Sequence, residues 1–163
     1  MKKVFLIISD THGRAGRIRK VMNTVGKADY AVFLGDGIRD FEATDFGGSM
    51  TAAVRGNCDA YCDYPDTLTL EIYGHKLLFC HGHTFGVKYG LDRLAAFCAQ
   101  NGYDIALYGH THRASEERIN GVTLFNPGSL SLPSEGKASY GLLTVDENGS
   151  FLFSHGEYRS FFG

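Results

Sequence analysis

Five short blocks carry most of the reactive chemistry in this chain. They are Asp10-Thr11-His12, Gly35-Asp36, Gly56-Asn57-Cys58-Asp59, His81-Gly82-His83 and Gly109-His110-Thr111-His112. Carboxylate oxygens, imidazole nitrogens and an amide oxygen are donors that first-row divalent metals accept. Any one block alone reads as ordinary turn chemistry. Asp10 or Asp36 can cap a following helix, and a single histidine is commonly a hydrogen-bonded turn or core residue. Several such blocks in one small chain, most of them closing an apolar run, point instead to a shared metal site.

The elements that must position these blocks are legible around them. Val4 to Ser9 is a continuous apolar run, as expected of a strand buried on both faces. Ala15, Ile18, Met22 and Val25 then fall on one helical stripe, with Val21 beside it. Tyr30 to Leu34 and Thr51 to Val54 read as further buried strands, with a helix between them. That alternation predicts an α/β sheet. Thr67 to Tyr73, a Gly74-His75 turn and Lys76 to Cys80 predict a hairpin, in which His75 is a turn residue. Leu91, Leu94, Ala95 and Cys98 give another helical stripe, and Asp104 to Tyr108 another strand. From Arg113 onward short strands alternate with turns at Asn120-Gly121, Pro127-Gly128 and Asn148-Gly149. His155 reads as an exposed strand residue. The expected architecture is two facing mixed β-sheets flanked by helices, with the blocks gathered where the strands end, because ligands of open α/β sheets bind outside the strands' carboxyl ends.

Composition narrows the function classes. A chain of 163 residues with 44% hydrophobic content fits one domain, 1–163, with a full core. Net charge is −2 and the isoelectric point about 6.4, so no global basic field favours long duplex nucleic acid. The apolar run Val4 to Ile8 is too short for a signal segment or a membrane span, so a cytoplasmic location and no membrane partner are expected. Four cysteines without a Cys-x-x-Cys pair read as free thiols, with Cys80 and Cys98 as small core residues. Arg14, Arg17, Arg19, Lys20 and Arg113 read as ordinary surface cations.

In type and order, the five blocks resemble those of the calcineurin-like metallophosphoesterases, over Asp10 to His112. The Gly-Asn-Cys-Asp form of the third block is similar to the compact YfcE-type phosphodiesterases, and Asn126-Pro127-Gly128-Ser129 matches a motif late in that group. The resemblance implies an αββα sandwich and two divalent metals, Mn most readily, with Ni, Zn or Fe as alternatives. One metal would be held by Asp10, His12, Asp36 and His112. The other would be held by Asp36, Asn57, His81 and His110, with Asp36 bridging. The implied reaction is hydrolysis of a small phosphodiester by a hydroxide shared between the metals. Asp36 and Asn57 then serve the chemistry directly, His83 faces the substrate and Asp59 orients the loop. Cys58 departs from the histidine that many phosphomonoesterases of the superfamily carry there. A thiol is a poorer acid at neutral pH and cannot become cationic, which predicts narrower, diester-directed turnover; the bland alternative is a small residue filling space beside the metals. The rival function is a metal-binding protein-interaction scaffold of the same fold, or a homo-oligomer, using the closing aromatics Tyr158, Phe161 and Phe162.

Overall fold

A computed structural model describes residues 1–159, and so Phe161 and Phe162 lie outside the described residues. Two five-stranded sheets face one another. The first has the order β10-β9-β1-β2-β3, with β1 (Lys2–Ile8), β2 (Tyr30–Phe33) and β3 (Met50–Ala53) parallel. Its antiparallel strands are β9 (Ser139–Asp146) and β10 (Phe151–Glu157). The second has the order β4-β5-β6-β8-β7: β5 (His75–Cys80), β6 (Ile105–Leu107) and β8 (Val122–Asn126) run parallel. Edge strands β4 (Thr67–Ile72) and β7 (Ser115–Ile119) are antiparallel.

The period of two along each central strand builds three layers of core at once. Phe5 and Ile7 of β1, with Leu77 and Phe79 of β5, point into the space between the sheets and meet Leu107, Phe125 and Leu143. Their neighbours Leu6 and Ile8 point outward onto α1 (Ala15–Val25) and α2 (Ile38–Glu42). Leu78 and Cys80 point outward onto α3 (Asp92–Gln100), against Leu94, Ala95 and Cys98. A strand buried on both faces therefore has no polar alternation, which is why these runs read as continuous apolar stretches. The αββα sandwich expected from the sequence is the architecture found.

Local departures have local reasons. The helix between β2 and β3 is one short turn and a half, and β1 begins two residues earlier than its apolar run. The first hairpin turns at Tyr73-Gly74, both with positive φ, so His75 is the first residue of β5 and pairs with Ile72. Its half-buried ring sits between Asp104 Oδ2, 2.5 Å from Nδ1, and the Gly149 carbonyl, 2.6 Å from Nε2. His75 is thus a tie between the two sheets rather than a turn residue. His155 is exposed as expected, and its ring stacks on Phe125 while Nε2 donates to the Asn126 carbonyl. Tyr158 packs on the outer face of the first sheet, under the Arg17 guanidinium. Among the described residues no helix is long and apolar enough to cross a membrane.

Candidate metal centre

All five blocks follow directly on parallel strands. Asp10 stands two residues past β1, Asp36 three past β2, Asn57 four past β3, His81 one past β5 and His110 three past β6. Parallel strands all present their carboxyl ends in one direction, so the five loops gather on one rim. Within each sheet neighbouring loops are tied together: Asp10 N–H donates to the Gly35 carbonyl, His12 N–H to the Asp36 carbonyl and Gly109 N–H to the His81 carbonyl. Between the sheets, His110 N–H donates to Asp10 Oδ2 at 3.1 Å. Neither Asp10 nor Asp36 caps a helix, since the residues at the starts of α1 and α2 are Arg14 and Gly37.

Two donor sets result, and they share one residue. Asp10, His12, Asp36 and His112 form the first, and Asp36, His81 and His110 the second, with ligand atoms within 4.8 Å of one another in each. Asn57 joins the second set, its Oδ1 3.1 Å from His81 Nε2. His112 Nε2 lies 3.1 Å from Asp10 Oδ1, and His81 Nε2 lies 3.2 Å from Asp36 Oδ2. The other ring nitrogens are already engaged: His81 Nδ1 donates to the Leu34 carbonyl and His112 Nδ1 to the Leu132 carbonyl. That fixes the tautomer and turns a lone pair on each Nε2 inward, the arrangement of a metal-ligating histidine.

Three features fit a cation here. Asp10 is fully buried, yet its Oδ1 has no hydrogen-bond partner. His12 Nε2 and His112 Nε2 stand 3.3 Å apart, as do His81 Nε2 and His110 Nδ1 at 3.2 Å, and facing imidazole nitrogens repel unless a proton or metal lies between them. The backbone is also strained where it matters. Asp10, His12, Asp36, His110 and His112 all have positive φ, five of the eight such non-glycine residues described. L-residues enter that region at a cost of about 1–2 kcal/mol each, and such strain gathers at functional sites.

Without metal, protons and carboxylates balance one another. Burial pushes the Asp10 carboxyl up, but the adjacent His112 and His12 rings, nearby His81 and the Ser9 hydroxyl outweigh it and hold it far below the usual range. Asp36 behaves alike: burial opposes, and His81 and the Cys58 N–H prevail, so its carboxyl is lowered. His81 is raised, because Asp36 and Asp10 outweigh its burial, and His112 is raised chiefly by the adjacent Asp10 carboxylate. His110 goes the other way, pushed down to about 4 by burial and by His81.

The remaining predicted residues surround this cluster. Asp59 accepts four backbone N–H groups, from Asp36 (2.7 Å), Gly37 (2.9 Å), Ile38 (3.1 Å) and Gly56 (2.9 Å), and so ties the second block to the third. It positions Asp36 and does not itself face the cluster. The His83 ring lies tilted beside those of His81 and His110, and its buried Nδ1 has no partner. Cys58 is exposed, so it fills no buried space; its N–H donates to Asp36 Oδ1 at 2.8 Å. Sequence reasoning missed several supports. Asp40, buried in α2, accepts from Thr11 Oγ1 (2.6 Å) and the Gly13 N–H (2.8 Å). Ser129 Oγ donates to the Asp10 carbonyl, and Asn126 Nδ2 to the Gly109 carbonyl and Thr111 Oγ1. The Asn-Pro-Gly-Ser motif signalled the last two, whereas nothing in the sequence distinguishes Asp40 from a surface acid.

This fold and this donor set define a metal-dependent phosphoesterase. The chain belongs to the calcineurin-like phosphoesterase superfamily, whose domain pattern matches residues 4–148. It is 33% identical over 147 residues to the probable metallophosphoesterase YsnB of Bacillus subtilis, covering 88% of this chain and 85% of that one. It is likewise 33% identical over 172 residues to the phosphodiesterase YfcE of Escherichia coli, covering 90% and 89%. Among solved structures, a predicted phosphoesterase from Streptococcus pneumoniae superposes with a TM-score of 0.80 at 26% identity, covering 97% of this chain and 91% of that chain.

Proposed function

We propose that this protein is a phosphodiesterase working with two divalent metals. Asp10, His12, Asp36 and His112 would hold one, and Asp36, Asn57, His81 and His110 the other. The observation that carries this reading is the orphaned, fully buried Asp10 Oδ1 beside two donor sets that intersect at Asp36. A shared residue should be a carboxylate, since each oxygen can serve one ion and the anion screens their repulsion. The mixed imidazole and oxygen set suits Mn²⁺, Ni²⁺, Zn²⁺ or Fe without choosing among them, and family resemblance favours Mn²⁺. When bound, such a pair lowers the pKa of water and clamps the attacking and leaving oxygens of an in-line displacement.

The chain's own residues then set what is cleaved. The half-exposed His83 ring, beside His81 and His110, would meet a phosphate oxygen at the edge of the cluster. Cys58, exposed on the cleft that runs from His12 to Ala60, offers a neutral thiol where a cationic acid would assist a poor leaving group. Diesters with good leaving groups are therefore favoured over monoesters. In the test, chelator-stripped protein is assayed on bis(p-nitrophenyl) phosphate and on p-nitrophenyl phosphate, with Mn²⁺ added back. Metal-restored diester turnover well above monoester turnover is expected. Asp36→Asn should lose both metal stoichiometry and turnover, and retention of both would remove the bridging assignment.

A further inference from the structure

The chain's basic charge is unevenly distributed. Between Asp10 and Asp29 stand Arg14, Arg17, Arg19, Lys20 and Lys27 with no acid among them, in a protein of net charge −2. Among the described residues none of these five forms an ion pair. Four of them, Arg14, Arg17, Arg19 and Lys20, line one groove along α1, floored by Gly13, Gly16 and Tyr158. Arg17 is fixed there by its bond to the Leu130 carbonyl (2.9 Å) and by the Tyr158 ring beneath it.

This groove is continuous with the metal centre. Gly13 lines both the groove and the cleft that holds His12 and Asp36. Beyond the cluster, Ile38, Arg39 and Ala60 line both that cleft and a third depression, walled by Tyr61 and Tyr64. Tyr61 is fully exposed and held out by a left-handed backbone, φ 57°. Glu42 and Asp63 also line this third depression, which makes it unsuited to phosphate and leaves its aromatic faces as the usable feature. One track therefore runs from cations, through the metal centre, to aromatics.

We propose that the substrate is a single-stranded oligonucleotide laid along this track, its backbone phosphates on Arg14, Arg19 and Lys20 and a base against Tyr61, with the diester at the cluster cleaved. Charge along one side and stacking on the other is the recognition chemistry of a single strand. From Arg14 to Lys20 the helix rises about 9 Å, room for two successive phosphates. In cleavage, water adds its oxygen to phosphorus, one P–O bond to a sugar breaks, and that alkoxide takes a proton. One fragment ends in phosphate and the other in a hydroxyl. The proposal rests on the phosphodiesterase reading above and narrows its substrate class.

The test uses full-length, chelator-stripped protein and a fluorescein-labelled single-stranded hexanucleotide, read by anisotropy. Neutralising two to three phosphates gives a salt slope of about −1.4 to −2, so binding should weaken roughly tenfold between 50 and 200 mM salt. The charge reversal Arg19→Glu/Lys20→Glu should weaken binding at least tenfold and flatten that slope, Tyr61→Ala should weaken it several-fold, and Arg118→Glu on distant β7 should not. With Mn²⁺ present, the double variant should lose at least tenfold more kcat/KM on the hexanucleotide than on bis(p-nitrophenyl) phosphate. Binding that ignores the reversal, or capture of phosphatidylglycerol vesicles with no capture of the strand, would overturn the proposal. Failure of the phosphodiesterase reading is seen separately, as absent Mn²⁺-dependent turnover of the small diester, which strand binding does not involve.

Discussion

Replacing Gly56 by alanine tests how tightly the loops must pack to hold Asp36. Gly56 has an ordinary backbone conformation, so alanine is acceptable there on φ alone. The obstacle is space: a Cβ on Gly56 would stand 2.1 Å from Asp36 Oδ1, 2.6 Å from its backbone nitrogen and 2.8 Å from its Cγ. Non-bonded contacts are comfortable only from about 3.5 Å, so the Asp36 carboxylate must retreat by about 1 Å or more. That movement strains the bonds that Asp59 makes to Asp36 and to Gly56 itself, at 2.7 and 2.9 Å. Overpacking of this kind costs about 1–3 kcal/mol of stability. Misplacing a catalytic group by 1 Å can cost roughly 100-fold in rate. Gly56→Ala should therefore remain folded by circular dichroism, bind Mn²⁺ more weakly by calorimetry, and lose roughly 100-fold in diester kcat/KM. Gly109→Ala supplies the contrast. Its Cβ would meet the rotatable Ser9 Oγ at 2.2 Å and Asp10 Oδ2 at 2.8 Å, so part of the strain is relieved by a hydroxyl turning away. Its loss should be smaller. A Gly56→Ala protein with metal affinity and turnover within twofold of the parent would refute the claim that loop packing sets the Asp36 geometry.

Removing the four-fold acceptor should be worse for the fold than removing the shared carboxylate. Asp59→Ala leaves four N–H groups without their partner, at about 1–3 kcal/mol for each that stays buried, and urea denaturation should show it to be less stable than Asp36→Asn. His75 gives a pH signature away from the metals. Both of its ring nitrogens face acceptors; burial lowers its pKa, but Gly149 and Asp104 outweigh that and raise it above 6.5. Stability from this tie is complete below about 6.5 and is lost as pH rises through the raised value, so the gap in urea midpoint between parent and His75→Phe should narrow from pH 6 to pH 9. Metal affinity should run oppositely, because His81 and His112 hold protons more firmly than usual and must release them. Calorimetry in buffers of different ionisation enthalpy should register that release, and affinity should increase with pH.

How much was readable in advance follows from where each signal lies. Residues such as Phe5, Ile7, Leu77 and Phe79 declare themselves through apolar runs, because strands covered on both faces cannot be polar on either. The candidate ligands declare themselves because aspartate and histidine directly after such runs have few bland explanations when repeated. His75 was misread because a Gly-His pair after an alternating run is a common turn, and the Asp104 and Gly149 partners that hold it arrive from 29 and 74 residues away. Asp40 was missed for the same reason: its work is done on Thr11 and Gly13, 29 and 27 residues earlier. Supports that act across the fold leave no local spacing to read. The uneven charge along α1 was visible in the sequence, yet it looked like a solvated helix face until the metal centre proved to open onto it.

The strained backbone ties these observations to function. A strand end that continued in extended conformation would carry Asp10 or Asp36 past the rim, with its carboxylate on one face or the other of its own sheet. The left-handed residue after the strand reverses the chain within two or three positions, and the reversal is what aims the side chain at the space between the sheets. Glycine would adopt that conformation freely, but glycine has no ligand atom. Five positions therefore combine a donor side chain with a backbone that favours its absence. The surrounding bonds from Asp59, Asp40, Ser129 and Asn126 supply the compensation, each anchoring a loop beside one of these residues. The rigid sandwich matters to the chemistry for this reason: it sustains loops that their own sequences would relax. Loosening an anchor should therefore cost metal affinity as well as stability.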